Sequence, residues 1–533
     1  MGYFPALLMG NVDRPIGIIY LIDGVRKFRF KLFEDSSAWI GQYVVSEEGY
    51  LARVTRIDRR NYLADDRLLA ELTTFDRVEE LKKYGFNLEF TSTITVAEAL
   101  IIGAIEDGRV KQPHTPPRLY TYVYNASSEL LSRVNVLEGA QINIGYVKGT
   151  EVPANLNAEK LVTHHCAILA STGSGKSWLA GVIAEELVLN VKIPVLIIDP
   201  HGEYSSMQYP ASTSQASEEV SSMVSIYVPG KVDVSEIDRY YEARFGSPRR
   251  YVRVGVNPRN MPVGMIAKML NYYYGLTETQ KRLLEEGWPY DPSIDAPLTT
   301  IDELIEEFAN RARGVAPKGY AGESSLSSLV SKLRSLLLNR PFFLTKYGEY
   351  FGEEPIRLLD IEGMLSSPGI KVLDLSTLDI VDQQALVSLT LDFAFNLAKR
   401  RRIMPTFIIV EEAHNFAPSK GTSISKSSIL RIAREGRKFG LGLCIISQRP
   451  TRVDPDVLSQ CMTQIFKRMI NPLDLKYVAS VSENISEDEL VTLRSLNPDE
   501  AYVTGLATAI PLLVKVKGRL TMHGGASAWV QST

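Results

Sequence analysis

The run His165-Cys-Ala-Ile-Leu-Ala-Ser-Thr-Gly-Ser-Gly-Lys-Ser-Trp178 constrains the rest of the chain more than any other stretch. The apolar residues Cys166 to Ala170 predict a buried strand, Ser171 to Gly175 a loop, and Lys176 to about Leu187 a helix with Leu179, Val182, Ile183 and Leu187 on one face. Strand, glycine-bearing loop and helix in this order make a phosphate-binding loop of the G-x-x-x-x-G-K-S/T pattern. The first glycine of the pattern is Ala170 here, at the end of the strand, where alanine fits if φ is negative. Thr172, Gly173, Ser174 and Gly175 turn the backbone N–H groups toward phosphate oxygens, and the helix N-terminus adds its dipole to the same anion. Lys176 is placed to reach the β- and γ-phosphates of ATP, the Ser177 hydroxyl to bind Mg2+, and Trp178 to adjoin the nucleotide. The rival reading, a Gly/Ser-rich turn with a chance lysine, does not account for the strand before it and the helix after it.

Further apolar runs end in polar tips, and open α/β sheets bind ligands at the carboxyl ends of their strands. Pro194-Val-Leu-Ile-Ile-Asp-Pro-His-Gly-Glu-Tyr204 puts Asp199, His201 and Glu203 near the nucleotide, or else makes Asp199 the cap of a turn. Thr406-Phe-Ile-Ile-Val-Glu-Glu-Ala-His-Asn415 runs into paired carboxylates. There Glu411 suits the Mg2+ shell and Glu412 suits the attacking water, as base or orienter. Leu443-Cys-Ile-Ile-Ser-Gln-Arg-Pro450 brings Gln448 to a strand tip, where an amide senses the γ-phosphate. A basic helix from Ser427 to Phe439 carries Arg431, Arg434 and Lys438 on one face, with Arg437 beside Arg434. It is either functional or a solvated face whose cations favour the helix C-terminus.

With 533 residues the chain is long enough for several domains. Short strands with Gly turns before residue 158 predict a small barrel: Ile16–Ile22, Lys27–Phe33, Gly41–Val45, Tyr50–Ile57, Leu88–Ile94, Ala97–Ile105, Tyr120–Tyr124 and Ile142–Tyr146. A polar stretch from Asp65 to Lys83 is helix-prone. The expected class is α/β: a RecA-like phosphate-loop ATPase core with a helical insertion, preceded by a small N-terminal β-barrel. The boundaries read as 1–158 for the barrel, 159–204 and 366–511 for the core, 205–365 for the mostly helical insertion, and 512–533 for a tail able to latch onto a neighbouring subunit. Ser205 to Met223 reads as a mobile serine-rich loop. A net charge of −3 excludes a broadly basic nucleic-acid binder, so any DNA contact must be a local patch or a ring lumen. Cys166, Cys444 and Cys461 lack metal-ligand spacing and suit a reducing compartment. No basic leader opens the sequence and no apolar run is long enough to span a membrane, so a cytoplasmic location is expected.

Five stretches together resemble the HerA family of DNA translocases within the HerA/FtsK superfamily, best known from archaea. They are His165 to Ser177, Ile198-Asp-Pro-His-Gly-Glu-Tyr204, Val410-Glu-Glu-Ala-His-Asn-Phe416, Arg431-Ile-Ala-Arg-Glu-Gly-Arg-Lys-Phe-Gly440 and Ser447-Gln-Arg-Pro450. The resemblance spans essentially the whole chain, the front domain being similar to the family's HAS barrel. It implies a homohexameric ring moving on double-stranded DNA, a NurA-type nuclease partner, and a role in DNA end resection for break repair. It also implies Lys176 and Ser177 on nucleotide and Mg2+, Glu412 as the catalytic carboxylate and Gln448 as the sensor. Arg437 is implied as the arginine finger acting on the neighbouring subunit, with Arg434 the second choice. Related ring ATPases that drive DNA through a membrane complex, a defence ATPase with another effector, and a non-hydrolysing scaffold are the alternatives.

Overall fold

The computed structural model describes residues 14–61, 93–291, 300–346, 348–481 and 487–524. The expected helix at 65–83 and Trp529 of the tail lie outside these residues. The chain divides into two compact units. One comprises Met1–Glu138, Asn143–Leu156 and Phe466–Val516, and the other comprises Gly139–Ile142, Asn157–Ile465 and Lys517–Thr533.

The first unit is built on six strands: β1 (Gly17–Asp23), β2 (Lys27–Leu32), β3 (Tyr43–Ser46), β4 (Tyr50–Asn61), β5 (Thr93–Glu106) and, after the short β6 (Arg109–Lys111), β7 (Tyr122–Asn125). Their order is β2-β1-β7-β3-β4-β5, and β2 pairs again with β5, which closes the barrel. Alternating side chains fill it, with Ile19, Phe28, Phe30, Val44, Val54, Ala99 and Val123 fully buried. The expected break at 95–96 is absent, because β5 runs through it; residues 88–92 of the strand expected over 88–94 lie outside the described residues. Glu98 falls within the second expected strand. This carboxylate is largely buried in mid-strand and is paired with Arg29 at 2.7 Å and Lys27 at 3.5 Å. β8 (Gln141–Val147), with β9 (Pro153–Asn157) beside it, pairs antiparallel with the strand Leu512–Val516, which in turn pairs with Glu500–Gly505. The beginning of the expected tail is thus a strand of this unit.

The second unit opens with β10 (Cys166–Leu169), the phosphate loop and helix α1 (Lys176–Glu186). It continues with β11 (Pro194–Asp199), α2 (Gln215–Ser222), β12 (Val224–Pro229) and β13 (Val252–Gly255). A helical segment follows: α3 (Val263–Tyr274), α4 (Glu278–Gly287), α5 (Ile301–Arg313) and α6 (Tyr320–Asn339). Leu326, Leu329, Leu333, Leu336 and Leu337 of α6 are buried, as their helical spacing predicts. A short hairpin, β14 (Tyr350–Phe351) and β15 (Glu354–Pro355), leads to β16 (Arg357–Leu358) and β17 (Gly369–Asp374). Then come α7 (Ile380–Lys399), β18 (Thr406–Val410), α8 (Lys426–Glu435), β19 (Leu441–Ser447) and β20 (Thr463–Phe466).

The strand order β16-β13-β12-β17-β11-β18-β19-β10-β20 is that of a doubly wound sheet, parallel from β16 to β10. The central strands β10, β11, β17, β18 and β19 are buried at every residue, which explains their unbroken apolar runs. The stretch from 205, expected as loop and mostly helical insertion, also contributes β12 and β13 to this sheet, with α2 ahead of β12. Its serine-rich part is a 3-10 turn, Glu203–Gln208, and then α2, N-capped by Ser214. Serine composition suggested a loop, but here the hydroxyls bond locally: Ser212, Ser214 and Ser217 contact one another at 2.9–3.0 Å.

Candidate active site

Because β10, β11, β17, β18 and β19 are parallel, their carboxyl ends share one edge of the sheet. The phosphate loop, Asp199, Asp374, the Glu411–Glu412 pair and Gln448 therefore lie along that edge. In the loop, Gly173 and Gly175 have φ of 71° and 84°, values that suit glycine, while Ala170 is not among the residues with positive φ. Ser174 Oγ donates to Ser171 O at 2.5 Å and so braces the turn. Gly175 caps α1 with no side chain, leaving the first N–H groups of the helix facing the loop. Lys176 is buried and Ser177 half-buried. The Thr172 hydroxyl donates a short hydrogen bond to Gln448 Oε1, so the loop and the β19 tip are directly tied.

The two carboxylates are driven apart in character, as acid and base roles require. Burial pushes Glu411 up to about 7, against which the Tyr204 hydroxyl, donating a short hydrogen bond to Oε1, and the Lys176 charge pull downward. Burial also opposes ionisation of Glu412, but His414 and Lys176 outweigh it and hold this carboxyl below its ordinary range. Glu412 has φ 46° and ψ 46°, a left-handed conformation that costs a non-glycine residue about 1–2 kcal/mol. That turn aims its carboxylate away from the strand direction. Glu412 Oε2 lies 3.2 Å from His414 Nδ1 and, though shielded from solvent, receives no hydrogen bond. A buried acceptor without a donor is a seat for a bound water or ligand. His414 Nδ1 is also 3.3 Å from Ser447 Oγ, so the imidazole bridges the β18 and β19 tips.

Asp199 serves its own turn. Its Oδ1 accepts from the N–H of His201 at 3.2 Å and Gly202 at 2.9 Å, and its Oδ2 from Tyr204 N–H at 2.8 Å. The capping alternative therefore describes its contacts, and the turn it fixes is the one that delivers Tyr204 to Glu411. Burial and the neighbouring Asp374 raise its pKa well above the usual range. Asp374 accepts from the buried Arg249 at 2.5 Å and Ser205 Oγ at 3.0 Å. Neither Tyr204 nor Asp374 is singled out by sequence reading, although each ends or follows an apolar run at the ligand edge.

Trp178 donates from Nε1 to Lys517 O at 3.1 Å and meets the His523 ring edge-on at 5.7 Å. Residues 517–524 lie on this chain's own α1. Arg519 contacts Glu185 at 3.3 Å, and the N–H groups of Leu520 and Thr521 donate to the same carboxylate at 2.9 and 3.0 Å.

The arginines are elsewhere. Arg434 is exposed and pairs with Asp456 at 2.6 Å. Arg437 is exposed on the 3-10 turn Gly436–Phe439 and sets its charge beside His164 and His165, at the amino end of β10. That is the edge of the sheet opposite the phosphate loop.

His165 joins these elements from within. It accepts at Nδ1 from Leu443 N–H at 3.0 Å, so Nε2 carries the proton donated to Ala433 O at 3.1 Å. Burial lowers its pKa from 6.5 to about 4. The fold holds the neutral ring, so its contribution is complete above pH 6.5 and is lost as pH falls toward 4. The difference amounts to about 3 kcal/mol. His165→Asn keeps a residue that tolerates the φ of 57° but removes the titration. The urea midpoints of wild type and variant are expected to differ most near pH 7 and to converge by pH 4. Parallel pH profiles would show that His165 does not titrate this way.

The residues present fit a nucleotide with Mg2+: glycines at positive φ in the loop, a lysine at the helix start, a hydroxyl after it, and a carboxyl pair at the ligand edge of the sheet. Among the described residues no cluster of three or more His, Cys, Asp or Glu side chains forms a metal site without a nucleotide.

The family model of the helicase HerA central domain matches residues 142–394. "Probable helicase MJ1565" of Methanocaldococcus jannaschii is 30% identical over 472 residues, 86% of this chain and 82% of that protein. "DNA double-strand break repair helicase HerA" of Pyrococcus furiosus is 26% identical over 548 residues, 96% of this chain and 93% of that protein. Among solved structures, VirB4 of Thermoanaerobacter pseudethanolicus superposes with a TM-score of 0.47 at 17% identity, over 72% of this chain and 98% of that one.

Proposed function

The chain belongs to the HerA family, and from that premise we propose that it is an ATP-driven translocase of double-stranded DNA. It works as a homohexameric ring with a NurA-type nuclease, in DNA end resection and double-strand break repair. The observation that best supports the ring is the position of Arg437. It stands at the sheet edge away from its own phosphate loop, so it completes an active site only on a neighbouring copy.

In this reading the loop N–H groups, Thr172 to Gly175, and Lys176 bind the phosphates, with Trp178 alongside. Ser177 and Glu411 hold Mg2+, which supplies positive charge to the β- and γ-phosphates. Tyr204 orients Glu411, and the Asp199 turn holds Tyr204 in place. Glu412, ionised at neutral pH, orients the attacking water and accepts its proton. Gln448, bonded to Thr172, reports the state of the loop to β19. Arg437, with Arg434 as the lesser candidate, neutralises transition-state charge across the interface. Among the described residues no helix is long and apolar enough to cross a membrane.

The test is ATP hydrolysis with and without linear duplex DNA, together with the mass of the assembly. The expected result is a several-fold rise in rate with duplex and a particle of six 59.4 kDa chains. A rate indifferent to DNA, from a monomer, would sink the translocase reading.

A further inference from the structure

Helix α8, which leads into the Arg437 turn, is moored by a charge cluster that the proposed chemistry does not use. Lys268 on α3 donates to Ser388 Oγ at 2.7 Å and Asp392 Oδ2 at 3.3 Å, both on α7, and to Ser428 Oγ on α8 at 2.8 Å. Asp392 also accepts from Arg431 Nη2 on α8 at 2.6 Å. The Arg431 guanidinium lies 4.3 Å from the centroid of Phe395, and Phe395 meets Phe439 edge-on at 5.5 Å. Phe439 is the last residue of the 3-10 turn that carries Arg437. An unbroken chain of contacts therefore runs from the helical segment, through one carboxylate, to the arginine turn.

The cluster holds two cations and one anion. Burial already works against the Lys268 charge, and Arg431 opposes it further, so Asp392 is what keeps the two compatible. Neutralising Asp392 leaves Lys268 and Arg431 facing each other across the α3–α8 seam. Like charges in a partly dry setting repel strongly, and the repulsion bears on α8, whose far end leads into the Arg437 turn. Among the described residues Arg437 has no ion-pair partner to hold it in that event. Its bearing depends on the Phe439 and Arg431 contacts.

Resting on the reading that Arg437 acts on a neighbouring subunit, we propose that Asp392 is a positioning residue for the arginine turn. By clamping Lys268 and Arg431 together it fixes the angle at which Arg437 meets the adjoining nucleotide, and it makes α3 a lever on hydrolysis in that neighbour.

The experiment uses full-length Asp392→Asn. The ATPase kcat is expected to fall about ten-fold or more, with the KM for ATP and the assembly mass unchanged, because the variant's own loop and carboxylates are untouched. A merely structural role moves stability or assembly and not kcat alone. The decisive measurement mixes Asp392→Asn with Glu412→Gln subunits before assembly. An Asp392→Asn pocket then receives a well-placed arginine from its Glu412→Gln neighbour, and the rate is expected to exceed the mean of the two separate samples. A parallel mixture of Arg437→Ala with Glu412→Gln is the reference. If the reference gains activity and the Asp392→Asn mixture does not, the positioning role is overturned while the arginine in trans stands. If neither gains, the arginine reading itself fails and takes this proposal with it. An Asp392→Asn protein with wild-type kcat also overturns it. Should Asp392→Asn not fold, Lys268→Met, which keeps the Asp392–Arg431 pair but releases α3, is expected to show a smaller kcat loss and the same rescue on mixing. No loss in that variant removes α3 from the mechanism.

Discussion

Glu412→Gln is expected to bind ATP as wild type does and to lose about a hundred- to ten-thousand-fold in turnover, the range for removing a positioned general base. The substitution changes one atom of the carboxyl and keeps its volume, so the left-handed turn at this residue has no new steric demand. The two neighbouring carboxylates differ in a way that makes the assignment specific. Glu411 is fully enclosed, bonded to the Tyr204 hydroxyl and pushed up to about 7 by burial. Glu412 is held below the ordinary carboxylate range beside His414 and Lys176, and one of its oxygens is without a donor. Only the second combines a standing negative charge with a free acceptor at neutral pH. Nucleotide affinity, measured by fluorescence of a labelled ATP, should be unchanged, because the loop amides and Lys176 remain. Steady-state hydrolysis should drop by that same factor. Turnover within a few-fold of wild type would remove Glu412 from the chemistry and leave Glu411 to be tested next.

The second unit was largely legible in the sequence because parallel strands buried on both faces read as unbroken apolar runs. Their ends then fall at polar residues: Leu169 before the loop, Val410 before Glu411, Ser447 before Gln448. The loop itself was legible because glycine at 173 and 175 and lysine at 176 answer separate demands of one anion. What stayed hidden depends on contacts between residues far apart in the chain. Tyr204 is one of 25 tyrosines until the Asp199 turn brings it to Glu411, 207 positions away. Glu98 sits in mid-strand in β5, and nothing local announces its pairing with Lys27 and Arg29. The serine-rich stretch suggested a loop because its composition says nothing of hydroxyls capping one another. The Lys268–Asp392–Arg431 cluster joins three helices, and no helical period reveals it.

Arg437→Ala is expected to lower DNA-stimulated hydrolysis by about a thousand- to hundred-thousand-fold, the range for loss of an arginine supplied in trans. Assembly should survive, since the side chain is exposed and, among the described residues, tied into no ion pair. The groups occupy opposite edges of the sheet. The loop, Glu411, Glu412 and Gln448 follow the carboxyl ends of parallel strands. Arg437 precedes the amino end of β19, beside His164 and His165. In the proposed ring a residue so placed serves the neighbour's nucleotide, and its loss is expected to be felt there. Arg434 is the internal control. It stands at the end of α8, just before the turn that carries Arg437, and is already paired with Asp456 at 2.6 Å, an exposed ion pair worth at most about 1 kcal/mol. Arg434→Ala is therefore expected to hydrolyse ATP within a few-fold of wild type. If the two variants exchange these outcomes, the finger is Arg434, and its pair with Asp456 becomes the resting state from which assembly releases it. If both hydrolyse normally, neither arginine reaches a nucleotide, and hydrolysis does not depend on the ring through this helix.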